Sequence, residues 1–342
     1  MPKTEKTVGL NQFISVGIAI GISVFAFWLV LRKLDFQALL SAFQRLSFGS
    51  VTLIVLCFLT GLLLRGIACW IIYDSKISFA DVFWAMNLGY LLNSIVPLRL
   101  GEFGRAAFLT EKNREKVSYM EVLAGILAER ILDLLVGFSF LIVCLWFLID
   151  NEMLNKIAWI GFAGMAFSII LIILAAKNKE KVLSWLKAKF KSNLAQQKLI
   201  PAFDQLLIGF EVFLNPRRFL LAFLIMAISW SFSMVEYLIL QNAILSASEW
   251  WWPILVIPAS AFVNALPAAP SGLGIYEAGS VGAYALVGVS KAPALAMSLV
   301  VHAVQIITPS IFGVIALFLS GESLGSLIQK AMSFRREKRR SI

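Results

Sequence analysis

The sequence predicts an all-α polytopic membrane protein with six full spans and two broken, re-entrant helical hairpins, arranged as two inverted-topology repeats. Three observations lead there. Of 342 residues, 60% are hydrophobic and 15% charged, with a mean hydropathy of +0.85, whereas a soluble domain carries about 25% charged residues. Six runs reach the roughly 20 apolar residues needed to cross a hydrocarbon core, and two more apolar stretches run into Pro and Gly. Shifting the chain by 170 residues brings spans and breaks of the two halves into register.

The six runs are Leu10–Leu31, Val51–Tyr73, Val122–Ile149, Ile157–Ala176, Phe219–Leu245 and Ala292–Leu319. The first follows Lys3 and Lys6, but it is longer than a signal-peptide core and no small-residue cleavage site follows, so it reads as a retained anchor. Phe79–Val96 runs into Pro97-Leu98-Arg99-Leu100-Gly101-Glu102, and Trp252–Leu266 into Pro267-Ala268-Ala269-Pro270-Ser271-Gly272-Leu273-Gly274. Irregular backbone at membrane depth is tolerated where protein or a wet cavity satisfies it, so both segments read as broken hairpins. The 170-residue shift lays Pro97 on Pro267, Val51 on Leu221 and Val122 on Ala292. Three crossings per half invert the second half relative to the first, and interrupted helices at matching positions point to a binding site near the midplane. Residues 1–320 form a single membrane domain, with repeat A at 10–149, repeat B at 157–319 and a basic amphipathic connector at 177–218. Residues 321–342 form a basic tail.

Basic residues collect in three clusters, Arg99 to Lys116, Lys177 to Arg218 and Lys330 to Arg340. The positive-inside rule puts all three, and both termini, in the cytoplasm. Arg32, Lys33 and Arg45 are exceptions in the first outside loop. Trp250-Trp251-Trp252 reads as an outer aromatic belt, and 177–198 as an amphipathic helix on the inner leaflet. The net charge of +10 in so apolar a chain suits anionic lipid, and no nucleic-acid partner is expected. Cys57, Cys69 and Cys144 fit neither a disulfide framework nor a zinc site. A single histidine, His302, leaves no imidazole cluster for a metal and no means for most hydrolase triads.

A charge at the bilayer centre costs about 2.5–3.5 kcal/mol on insertion scales, so each intramembrane ion needs a partner. Glu129 and Asp133 share a helix face at i,i+4, and Arg130 can pair with Asp133 at i,i+3. These residues read either as a wall of a polar interior or as an ion-pair knot binding their helix to the first hairpin. That hairpin carries Arg99, Glu102 and Arg105 around Gly101 and Gly104, where arginine forks and exposed amides suit a phosphate. The second carries Gly272, Gly274 and Glu277, with Asn264 upstream and His302 and Gln305 on the next span. Glu277 and His302 are candidates for proton or cation coupling, since a buried carboxylate and an imidazole can each be shifted to titrate near neutral pH. Arg65 and Glu236, each mid-span, are expected to pair across the halves.

The motifs Pro97-Leu-Arg99-Leu-Gly101-Glu102-Phe-Gly104-Arg105, Glu129-Arg130-Ile-Leu-Asp133 and Pro267-Ala-Ala-Pro270-Ser-Gly272-Leu-Gly274-Ile-Tyr-Glu277 occur in that order. Over residues 10–320 the chain resembles the transmembrane, flippase-like region of the lysylphosphatidylglycerol synthase/flippase family. The resemblance implies a lipid translocator in a bacterial or archaeal cell membrane, moving an anionic or aminoacylated phospholipid or a polyprenyl-linked lipid. Arg99, Gly101, Arg105, Arg130, Gly272 and Gly274 would hold the headgroup phosphate. Glu102, Glu129, Asp133, Glu277, His302 and Gln305 would serve polar or coupling roles. No cofactor, metal or enzymatic activity is expected. The chain ends at Ile342 after its basic tail, so no aminoacyl-transferase domain is expected either. Where the family commonly has a double glycine, this chain has Ser271-Gly272. Two alternatives remain: a membrane transferase acting on a lipid phosphate with Glu102 or Glu129 as base, and a membrane subunit that partners a cytosolic lipid- or glycan-modifying enzyme. A homo-oligomer is compatible with each.

Overall fold

A computed structural model describes residues 21, 23–32, 34–74, 76–96, 100–147, 152–265, 270–321 and 325. The helices are α1 (residues 23–31), α2 (Phe36–Gln44), α3 (Phe48–Ile72), α4 (Phe79–Ile95), α5 (Gly101–Lys112), α6 (Tyr119–Phe147), α7 (Glu152–Lys177), α8 (Lys179–Lys189), α9 (Ile200–Gly209), α10 (Pro216–Ile244), α11 (Trp252–Asn264), α12 (Ile275–Leu286) and α13 (Lys291–Ser320). No strand occurs among the described residues. The first apolar run is described only at its end, and most of the basic tail, with Pro97, Arg99 and Pro267, lies outside the described residues.

Long apolar runs become long helices because a chain in hydrocarbon must satisfy its backbone polar groups internally. Among the described residues, α3, α7, α10 and α13 are each long and apolar enough to cross a bilayer. The 29 residues of α6 extend about 43 Å. The outward faces of the long helices carry large apolar side chains, including Leu53 and Leu56 of α3, Ile160 and Phe167 of α7, and Ile311 and Phe318 of α13. An exposed apolar belt of this kind is stable against lipid tails and not against water. The protein is an all-α, multi-pass membrane protein.

The series α3–α6 and α10–α13 share one order: a long helix, two short ones and a long one. Their packing is reciprocal. α3 lies on α10, α6 on α11 and α13 on α4, while α2 packs on α13 as α9 packs on α6. α3 and α10 run antiparallel, with Gly61 against Ser229 and Phe232. At one end of this pair Arg218 donates to the carbonyls of Ile71 (3.2 Å) and Ile72 (3.0 Å). At the other end Arg45 donates to the carbonyl of Ile244 (2.7 Å). Each arginine therefore neutralises the carbonyl end of the partner helix, where a cation is favoured. Arg45, an exception to the charge rule in the sequence, is held by this cap.

Lys76, Lys112, Arg114, Arg218 and the lysines of α8 gather at the end where α5 and α7 finish and α6 and α10 begin. Ion pairs tie this end together, among them Lys76–Glu121 (2.8 Å), Lys112–Asp81 (2.6 Å) and Lys179–Asp204 (2.6 Å). The connector departs from the single helix expected over 177–198. α8 ends as Phe190 turns to extended backbone, and a π-helical stretch at Ala195–Leu199 leads into α9. α8 buries no residue, whereas Ile200 and Leu207 of α9 are buried. The apolar side chains of the connector therefore serve two surfaces.

Candidate functional site

Each broken segment folds back on itself. In the first, the Asn93 side-chain oxygen accepts from the Gly101 N–H (2.8 Å), and Gly101 sits so close to the Gly89 carbonyl that a Cβ has no room. In the second, Gly272 approaches Asn264, and Gly279 meets Val263 and Ser260. The turn is made by left-handed backbone at Ser271 (φ 60°), Gly272 (75°) and Gly274 (84°), conformations that glycine adopts without strain. The α4–α5 hairpin starts from the basic end and the α11–α12 hairpin from the opposite end, so their tips converge.

Between the tips lies a cavity of about 520 Å³, a size suited to a small ligand or headgroup. Asn93, Ser94 and Glu102 reach it from the first hairpin, and Asn264, Ser271 and Gly272 from the second. Its walls are Arg65 of α3, Arg130 and Asp133 of α6, Ser229, Trp230 and Ser233 of α10, and His302, Gln305 and Pro309 of α13. Pro309 has no N–H for the Gln305 carbonyl one turn earlier, which weakens the α13 ladder beside the cavity.

A network of alternating charge backs the first hairpin. Arg65 forks onto Asp133, with both bonds at 2.7 Å, and Asp133 also accepts from the Trp230 indole (3.1 Å). Arg105 donates to Glu129 at 2.5 Å, and Arg65 stands 3.9 Å from Glu129. Arg130 is held loosely, 3.3 Å from Glu102 and 3.7 Å from Asp133. Its side chain is 36% exposed. The three guanidiniums face three carboxylates, so the network balances in charge while Arg130 keeps donors free towards the cavity.

The residues expected at the site thus separate into two groups. Arg130, Glu102, Asp133, Gly272, His302 and Gln305 line the cavity. Arg105 and Glu129, 4% and 1% exposed, do not reach it. They form the knot between α5 and α6, joined through Arg105 Nη1 and Glu129 Oε2. Gly101 is packed beneath the first tip, and Gly274 packs on Ser23 and Phe27 of α1. Glu277 is fully buried and accepts from the Gly274 N–H (2.6 Å) while meeting His302 Nδ1 (2.6 Å). Arg99 lies outside the described residues.

The expected Arg65–Glu236 pair does not form. In the antiparallel α3–α10 pair, the Gly61–Ser229 contact puts Glu236 opposite residue 54, eleven residues from Arg65, or about 16 Å along the helix. Glu236 is 1% exposed, and neither of its carboxylate oxygens has a hydrogen-bond partner. The sequence reading also overlooked Asn93, Ser229 and Ser233, which are uncharged and sit within apolar helices. The signal available for Asn93 was its place one turn before the Pro97 break.

The family model for the lysylphosphatidylglycerol synthase TM region matches residues 14–313. The chain belongs to this family. All the helices named above lie within the match or overlap it, so both hairpins and the cavity are part of the lysylphosphatidylglycerol synthase TM region. A UPF0104 membrane protein of Methanocaldococcus jannaschii is 26% identical over 235 residues, covering 67% of this chain and 93% of that protein. No solved structure matches the chain.

Proposed function

We propose that this lysylphosphatidylglycerol synthase TM-region protein is a lipid translocator that passes a phosphate-bearing headgroup through the cavity while the acyl chains stay in the bilayer. One observation carries the reading: a loosely held, one-third exposed arginine stands at the meeting point of two oppositely directed hairpins. An arginine fork matches phosphate oxygens bidentately, and the amides of Asn93 and Asn264 and the hydroxyl of Ser233 add neutral partners. A phosphate on Arg130 releases Glu102, which then receives a cationic group. The wall carries as many carboxylates as guanidiniums (Arg65 and Arg130 against Glu102 and Asp133), which favours a headgroup bearing both signs, as an aminoacylated phospholipid does, over a purely anionic one. Rocking of one repeat against the other about such a site gives alternating access.

The test is movement of fluorescent phosphatidylglycerol, its lysyl derivative and a polyprenyl phosphate in proteoliposomes. Wild type is expected to move the lysyl derivative fastest, and Arg130→Ala and Glu102→Gln to slow it at least about tenfold, a transition-state loss of about 1.4 kcal/mol. Equal rates for wild type and Arg130→Ala overturn the reading.

A further inference from the structure

His302 occupies an unusual position at the second hairpin. Its Nδ1 lies 2.6 Å from Glu277 Oε1 and its Nε2 lies 3.0 Å from the Ser271 carbonyl oxygen, so both ring nitrogens face acceptors. A neutral imidazole has one N–H and one lone pair. Both contacts are therefore satisfied only when the dyad holds two protons, one on Nε2 and one between Nδ1 and Oε1. With the second carboxylate oxygen on the Gly274 N–H, that state is neutral overall. When one proton leaves for the cavity, the dyad carries a single negative charge. The remaining proton stays between imidazole and carboxylate, where the bond is charge-assisted, and the Nε2 lone pair then opposes the Ser271 carbonyl.

Ser271 is where that opposition has an effect. It is a non-glycine residue at φ 60°, a conformation that persists only while surrounding contacts impose it, and it lines the cavity. The ring itself is fixed by stacking on Tyr276, with centroids 4.2 Å apart, and the Tyr276 hydroxyl meets that of Tyr237 (2.9 Å). The titratable groups around the dyad are Tyr276 of α12, Tyr237 and Glu236 of α10, Tyr90 of α4 and Arg65 of α3. Across the cavity stand Glu102, Arg130 and Asp133. α2 and α11 bring none.

The first repeat holds the counterpart. Arg105–Glu129 joins the returning half of the first hairpin to α6, as Glu277–His302 joins the returning half of the second to α13. A guanidinium does not deprotonate in proteins, so the base of the first pair keeps its proton, whereas an imidazole base can release one.

We propose that Glu277 and His302 form a proton-binding dyad whose proton release frees the tip of the second hairpin, coupling passage through the cavity to the movement of a proton. The coupling rests on the translocator reading above; the dyad and the tip do not.

His302 is the only histidine in the chain, so [15N]histidine labelling of protein freed of any polyhistidine tag gives a single imidazole signal. In lipid nanodiscs taken through a pH interval from acid to alkaline, the ring signal is expected to pass from two protonated nitrogens to one. Over the same interval, in a Cys57→Ala background, the thiol introduced by Ser271→Cys is expected to gain at least about tenfold in maleimide reactivity, and Glu277→Gln to flatten that response. A ring signal that does not change over the interval, or a flat labelling rate at position 271, overturns the proposal, and the wild-type ring titration needs no variant to fold. Lipid movement is read separately. Movement beside a silent ring removes the dyad and spares the translocator, whereas a titrating ring and responsive tip with no lipid moved uphold the dyad and remove the translocator with its coupling.

Discussion

The two hairpins share an architecture and differ in the ions that hold them. In the first, Arg105 and Glu129 meet at 2.5 Å, and Arg130–Glu102 adds a second tie between α5 and α6. In the second, the matching place is filled by Glu277 and His302 at 2.6 Å, with the carboxylate now on the hairpin and the base on the span. The base of the first joint is a guanidinium, which does not deprotonate in proteins; that of the second is an imidazole, which on the dyad proposal gives up a proton. The comparison teaches that two hairpins of one architecture can be tied to their neighbouring spans by chemically different pairs without altering a helix.

The largest effect expected from this contrast is at the fixed joint. Glu129→Ala strands Arg105, 4% exposed, without a counter-ion, and breaking a buried pair from one side costs about 3–5 kcal/mol. Loss of monodisperse protein, or a matching drop in unfolding free energy, checks it. Glu277→Gln keeps a hydrogen-bonding side chain against His302 and creates no unpaired charge, so its cost stays at about 1–3 kcal/mol and the protein remains folded. A cost equal to that of Glu129→Ala would erase the distinction between the joints. Ser271→Gly relieves a left-handed residue whose strain is about 1–2 kcal/mol but adds backbone freedom, leaving a gain of under about 1 kcal/mol. On the dyad proposal the gain is larger once the ring has given up its proton, and thermal unfolding at two pH values measures it.

The smallest effect lies at the basic end, outside the membrane segments. Hydrogen bonding to Glu121 holds Lys76 above its ordinary value, against partial burial. A cation with a raised value contributes its stability at neutral pH and loses it as pH rises through that value. Lys76→Ala should therefore cost under about 1 kcal/mol at neutral pH, less in high salt and nothing in strong alkali.

Much of this architecture is written plainly in the chain. Apolar runs gave α3, α6, α7, α10 and α13, and the Pro-Gly breaks gave both hairpins, because hydrophobic length and backbone interruption are local properties. Direction towards the cavity is not local. Glu129 and Arg130 are neighbours, yet one points at Arg105 and the other at the cavity, and only the packing of α5 and α3 on α6 separates them. Arg65 stood out as a charge, but its partner Asp133 follows from the packing of α3 against α6, not from depth estimated along each span. Ser229 and Ser233 carry no signal that distinguishes them from helix-packing serines. The split of the connector at Phe190 was likewise invisible, since basic and apolar residues alternate on both sides of it.

Capture of a lipid inside the cavity tests the central claim most directly. With p-benzoylphenylalanine in place of Ser233, illumination in native membranes followed by mass spectrometry should yield an adduct with an intact phosphate-bearing headgroup. That adduct should be lost in Arg130→Ala, while the same probe in place of the outward-facing Ile170 captures lipid in both backgrounds. Adducts at 233 that are indifferent to Arg130→Ala, or none at all while position 170 still reacts, would contradict the account.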